Sequence, residues 1–283
     1  MPSMAVVIVC GVLLALTSVG LVRWRNEVFV APPPPAADAG PRVRARHYLW
    51  WVQVMLATAL LCGLLVMGLG GRLAMRLLGA TAGDAAQGRI TEADEVVGEI
   101  TVGGTIGFIV FIGLLSGLVM TLLWFAVRRF LPARWIGGLV FGAALLVVFG
   151  TRMEPLRPGN EDFDLVGPWW LAITAFTALA LGFGISLAAV SARVSRWLPL
   201  IGRGRRSLAY VSLLVLVLLF PFGLAALIGG LAYVFAGRAV ERGRAWLTGP
   251  AGLRAVRLAI GAIVLVAAPG FVIAIGDLVG RGP

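Results

Sequence analysis

The chain has 283 residues, 60% of them hydrophobic, a mean hydropathy of +0.97 and a formal charge of +11. Soluble domains are only ~45–50% apolar, so an ordinary water-soluble fold is excluded and lipid is the expected solvent. The 24 basic residues are all arginine and sit in short clusters between apolar runs, which makes them topology determinants rather than a nucleic-acid surface.

The first apolar run, about Met4 to Val22, is followed by Arg23-Trp24-Arg25. No positive charge precedes it and no A-x-A site follows, so it reads as a retained helix with its N-terminus outside, not as a signal peptide. Residues 26–47 form a Pro-rich cytoplasmic linker. Pro32 to Pro35 favour a polyproline II spacer that lets the first helix (residues 1–25) pack away from the bundle of 48–283.

Segment two spans about Tyr48 to Gly71, segment three Ile106 to Val127, segment four Pro132 to Thr151, segment five Trp169 to Val190 and segment seven Leu258 to Leu278. Trp50, Trp51, Trp124, Trp135, Trp169 and Trp170 fall near segment ends, as an interfacial aromatic belt requires. The sixth segment, Leu208 to Phe235, is too long for one straight crossing, and Pro221-Phe222-Gly223 lies at its midpoint. It is either one kinked, tilted helix or a short, re-entrant hairpin. A single span puts 14 Arg inside and 10 outside, whereas a hairpin gives 18 and 6, so the positive-inside bias favours the hairpin. In both cases 23–47, 128–135 and 191–206 face the cytoplasm, and loops 72–105 and 152–168 are extracytoplasmic. The predicted fold is an all-α, polytopic membrane bundle of about seven segments.

Several chemistries lack the residues they need. Without lysine there is no retinal Schiff base. His47 is the only histidine, read as a solvated loop residue, so histidine-based zinc, haem or triad chemistry is excluded. Cys10 and Cys62 lie in apolar runs without ligand spacing and read as small buried hydrophobes. Polar residues inside the spans are mainly Gln53, Thr58, Ser116, Thr121, Thr174, Thr177, Ser186 and Ser212, with Asp277 at the far end of segment seven. Proton-coupled pumps and voltage sensors need ionisable groups at depth, and none is seen. Gly68-Leu69-Gly70-Gly71 lacks the spacing and strand of a dinucleotide fingerprint. No cofactor, metal site or catalytic residue is assigned.

Glycines one turn apart, Gly103/Gly107, Gly113/Gly117 and Gly138/Gly142, predict close helix packing, as do the ladders Ala178/Gly182/Ser186 and Ala180/Gly184/Ala188 of segment five.

Nine of the 13 acidic residues lie in the two outer loops. Together with the arginines there they define a charged cap: Arg72, Arg76, Glu92, Glu95, Glu99, Arg152, Glu154, Arg157, Glu161, Asp162 and Asp164. Thr91 before Glu92-Ala93-Asp94 predicts an amphipathic helix with Glu92, Glu95 and Glu99 on one face and Ala93, Val97 and Ile100 on the other. The cap reads first as a salt-bridged lid, then as a cation or small-ligand site, and last as acid–base machinery. The lipid bilayer is the first partner. Anionic head groups are expected at Arg203-Gly204-Arg205-Arg206 and at Arg238, Arg242 and Arg244; a membrane-protein partner or a homodimer is the other partner the sequence allows.

The stretches GRLAMRLLGATAG (71–83), TEADEVVGEITVGGT (91–105) and NEDFDLVGPWWLA (160–172) resemble a loose group of uncharacterised multi-pass proteins from high-GC Gram-positive (actinobacterial) bacteria. The all-arginine composition suits a GC-rich genome. The resemblance implies a bacterial plasma-membrane location and carries no activity or functional residue across. The leading expectation is a non-enzymatic membrane protein, structural, accessory or sensory, with a permease or channel for a small solute as runner-up and a lipid-modifying enzyme third.

Overall fold

The computed structural model describes the chain except residues 1, 37, 91–95, 98, 100, 153–155, 158–166, 203, 236–242, 244–246, 248 and 281–283. Apart from a β-bridge between Ile90 and Val96, its elements are all helical. The rods are α1 (Pro2–Trp24), α2 (Pro41–Thr81), α3 (Val102–Phe130), α4 (Arg134–Phe149), α5 (Trp169–Trp197), the pair α6 (Ser207–Leu218) and α7 (Phe220–Phe235), and α8 (Pro250–Gly280). α1, α2, α3, α5 and α8 are long and apolar enough to cross a membrane, while α4 is shorter. Its 16 residues make a rod of about 24 Å. The all-α bundle predicted from the sequence is the fold observed.

Two glycine seams hold the rods together. Both α2 and α3 widen to π-helix, over Gly63–Gly68 and Ile109–Leu115, and these stretches pack on each other. A β-carbon added to Gly117 would come within 2.6 Å of the Gly63 Cα, and one on Gly113 within 2.8 Å of the Gly68 Cα. The second seam joins α4 to α5. There a β-carbon on Gly142 would lie 2.5 Å from the Ala180 carbonyl oxygen, and one on Gly184 2.8 Å from the Gly142 Cα. Backbones this close gain dispersion contacts that any side chain would forfeit. Of the two ladders on α5, Ala180/Gly184/Ala188 is the one that packs against α4, whereas Gly182, like Gly103 and Gly107, faces open space. Cys62, Val66, Trp124, Phe141, Phe183 and Leu187 fill the core between the seams.

The arms α6 and α7 meet at 119°, which rules out one straight helix. Both outer ends lie beside the start of α2. Gln53 Nε2 donates to the Ala209 carbonyl (2.9 Å) and to Ser212 Oγ (2.6 Å) on α6, and Arg44 donates to the Val234 carbonyl on α7. The bend between them reaches inward, packing Leu216, Leu219 and Phe222 on Leu56, Ala59, Leu114 and Leu118. The pair therefore enters and returns on the same side. α8 also begins there, with Arg257 Nε donating to the Phe130 carbonyl at the end of α3 (3.0 Å).

Two tryptophans assigned to the interfacial belt are core residues instead. Trp50 and Trp124 are 2% and 4% exposed, because their indole N–H groups find buried acceptors, the Leu198 carbonyl (2.9 Å) and Ser191 Oγ (3.3 Å). Trp135 and Trp170 are exposed as expected. Both cysteines are buried.

The seams generate a direct test. Gly184→Leu should destabilise the protein in detergent by ~1–3 kcal/mol or more, the cost of overpacking, while Gly182→Leu two residues away should melt like the unmodified chain. Equal melting temperatures for the two variants would refute the α4–α5 seam.

Candidate functional site

The polar groups gather at two opposite rims, one holding the C-terminal end of α2 and the start of α5, the other holding residues 24–31 and the start of α2. At the first rim, α2 continues as helix past the apolar run to Thr81, carrying Arg72 and Arg76 one turn apart. Arg72 Nε donates to Thr105 Oγ1 (3.3 Å), whose own hydroxyl donates to the Thr101 carbonyl. Thr101 also caps α3 by accepting from the Gly104 N–H (3.0 Å). This ties the end of α2 to the start of α3.

Most of the amphipathic helix expected from Thr91 onward, residues 91–95, 98 and 100, lies outside the described residues; Val96, Val97 and Glu99 are not helical. Gly88, at φ +80°, turns the chain; Gly88 N–H donates to the Val97 carbonyl and Val97 N–H to the Arg89 carbonyl, closing the bridge of Ile90 with Val96. Val97 is thereby buried at 6% exposure inside a turn, and Glu99 is exposed beyond it. The second outer loop meets the same end of α2: Gly167, at φ +63°, sits where a β-carbon would strike Thr81 Oγ1 at 2.8 Å. Leu156 is fully buried and its N–H bonds the Gly150 carbonyl.

Of the cap residues named from sequence, Arg72, Arg76 and Arg157 are partly buried, and Arg76 and Arg157 both have partners. Arg152 and Glu99 are exposed. Glu92, Glu95, Glu154, Glu161, Asp162 and Asp164 lie outside the described residues. Among the described residues no group of three or more His, Cys, Asp or Glu side chains converges.

The opposite rim holds contacts that the sequence did not disclose. The linker expected to be a free spacer is seated on the bundle from its first residues. Trp135 N–H donates to the Arg25 carbonyl (3.2 Å), Glu27 pairs with Arg193 (3.4 Å) and Val30 N–H donates to Ser195 Oγ (3.0 Å). The first of these contacts braces a strained residue, Arg134 at φ 63°. Phe29 is the anchor. Its ring stacks on Trp51 at 5.4 Å, meets Trp50 and Phe125 edge-on at 5.9 Å, and carries the Arg128 guanidinium 3.4 Å from its centroid. A cation held over an aromatic face in a partly dry site is favourable by ~0.5–2 kcal/mol. α1 itself packs on α2 and α5 rather than away from them.

His47 is likewise corrected. It is 5% exposed, with Nδ1 3.0 Å from the Tyr233 hydroxyl and its ring stacked on Tyr233 at 6.0 Å. The helix that contains it starts at Pro41, seven residues before the apolar run. Pro at a first helical turn is preorganised for that role. The signal available in the sequence was the aromatic run His47-Tyr48, Trp50-Trp51, too dense for a solvated loop.

In comparison with known proteins, no family model, curated protein or solved structure matches the chain. The resemblance to high-GC Gram-positive proteins thus gains no support from them.

Arg128→Ala or Phe29→Ala should release residues 26–31 from the bundle, raising their deuterium uptake well above that of the unmodified protein. Arg128→Lys should do so partially, because an ammonium lacks the planar face. Unchanged uptake in Phe29→Ala would contradict the anchoring role.

Proposed function

We propose that the chain is a non-enzymatic integral membrane protein of structural, accessory or sensory role, whose arginine–carboxylate rim meets a partner or ligand. One observation carries the reading. The seams α2–α3 and α4–α5 bring backbone against backbone at their glycines, while charged groups collect at the two rims. The cellular setting we infer is a bacterial plasma membrane, with the N-terminus and the cap at 72–105 and 152–168 outside and the seated linker inside. The grouping of loops supports this arrangement: 25–31, 128–135 and 193–198 are brought together, and so are 72–81, 101–105 and 167. The arginine balance supports the direction.

A permease for a small solute has one observation in its favour. Thr121, 1% exposed in the middle of α3, keeps a buried hydroxyl without a hydrogen-bond partner among the described residues. A buried polar atom of this kind calls for a partner such as water or a solute. Thr174, another hydroxyl inside the spans, is exposed and bonded to its own helix.

Reconstituted in liposomes, the protein should pass glycerol and methylammonium no faster than empty vesicles. Saturable flux that Thr121→Val abolishes would replace the accessory reading by the permease.

A further inference from the structure

We propose that the groove between α2, α6 and α7 is a binding site for one acidic glycerophospholipid, acyl chain inside and phosphate at Arg42. The inference rests on the membrane reading above and adds a defined ligand to it. The groove is a cavity of about 510 Å³, within the ~300–1,000 Å³ of small-molecule sites. On α2 its wall is Arg42, Ala45, Leu49 and Val52, spaced three to four residues apart and therefore one helix face. α7 supplies Leu227 and Leu231 opposite, and Leu213 of α6 lies at the base.

Its direction identifies the ligand's shape. α2 and α7 run antiparallel here: Arg44 reaches the Val234 carbonyl near the rim, and the Tyr48 hydroxyl donates to the Ala226 carbonyl (2.6 Å) further in. From Arg42 to Val52 the wall descends about 15 Å along the helix, from the level of the linker into the apolar run. Tyr48 is spent on Ala226 and on close contact with Gly229 and Gly230, so the interior offers hydrocarbon and little else. A molecule that fits is apolar along its length and polar at one end.

The charge at the mouth sets the head group. Arg42 lines the groove and is exposed, Arg46 is exposed one turn further along α2, and the first turn of α2 has no acidic residue and no side-chain cap. Asp38 is the only acid between Glu27 and Asp84 in the sequence. A phosphodiester that carries net negative charge is therefore favoured over a zwitterion.

The test is native mass spectrometry of the detergent-purified full chain, offered phosphatidylglycerol and phosphatidylcholine with identical acyl chains in equal amounts. The unmodified protein should retain phosphatidylglycerol ~5-fold over phosphatidylcholine, the ~1 kcal/mol that one arginine contributes near an anionic surface. Arg42→Gln should bring the ratio near one, Ala45→Phe should expel both lipids, and Arg196→Gln at the same rim should change nothing. If Ala45→Phe fails to fold, Arg42→Gln decides alone. Equal retention of the two lipids, or equal losses in Arg42→Gln and Arg196→Gln, overturns the groove while leaving the membrane reading intact. A chain that stays monodisperse in plain buffer overturns both.

Discussion

Backbone-on-backbone contact at glycine governs this molecule. Inside a bilayer, helices gain nothing from hiding apolar side chains from lipid that is equally apolar, so association depends on how closely the backbones approach. Gly63, Gly113 and Gly117 on one side, and Gly138, Gly142 and Gly184 on the other, remove the side chains where approach matters most. The four helices joined this way enclose Phe183, Leu187 and Trp124, and the remaining rods are added around them. α1 and α8 bury little of themselves, as expected of helices whose outer neighbours are lipid chains.

The rims follow from the same economy. Ionised groups excluded from the spans must be satisfied at the ends, and each end does so by stitching chain segments that are distant in sequence. Arg72 and Thr105 join α2 to α3 at one rim; Arg128, Phe29, Trp51 and Phe125 lock the linker at the other. The arginine there works less as a charge than as a planar cation on aromatic faces. An α6–α7 pair that returns to its own rim leaves the hydrocarbon side of α2 unfilled, and the apolar groove is the result.

Much of this was legible in the residues, because lipid imposes lengths and charge distributions directly. The apolar segments and the bend near Pro221 came from apolar run length, a helix breaker and the arginine balance, although α2 reaches beyond its apolar run at both ends, from Pro41 to Thr81. Partner choice was not legible. Ala178/Gly182/Ser186 and Ala180/Gly184/Ala188 have the same spacing, and only the placement of α4 distinguishes them. The partner of His47 could not be read from the sequence, since Tyr233 lies 186 residues away. Phe29 sits in a stretch without periodicity, and its anchoring needs Arg128 and Trp51 from two other helices.

Labelling with a lipid-soluble diazirine in vesicles, mapped by peptide, tests the central claim most directly. The account predicts carbene insertion at Leu258, Val266 and Val272 of α8, which are 66–77% exposed, and protection of Phe183, Leu187 and Val54, which are 0–2% exposed. Strong labelling of α5 at Phe183 and Leu187 would mean that lipid reaches between the seams, and the glycine contacts could not then be what closes the bundle.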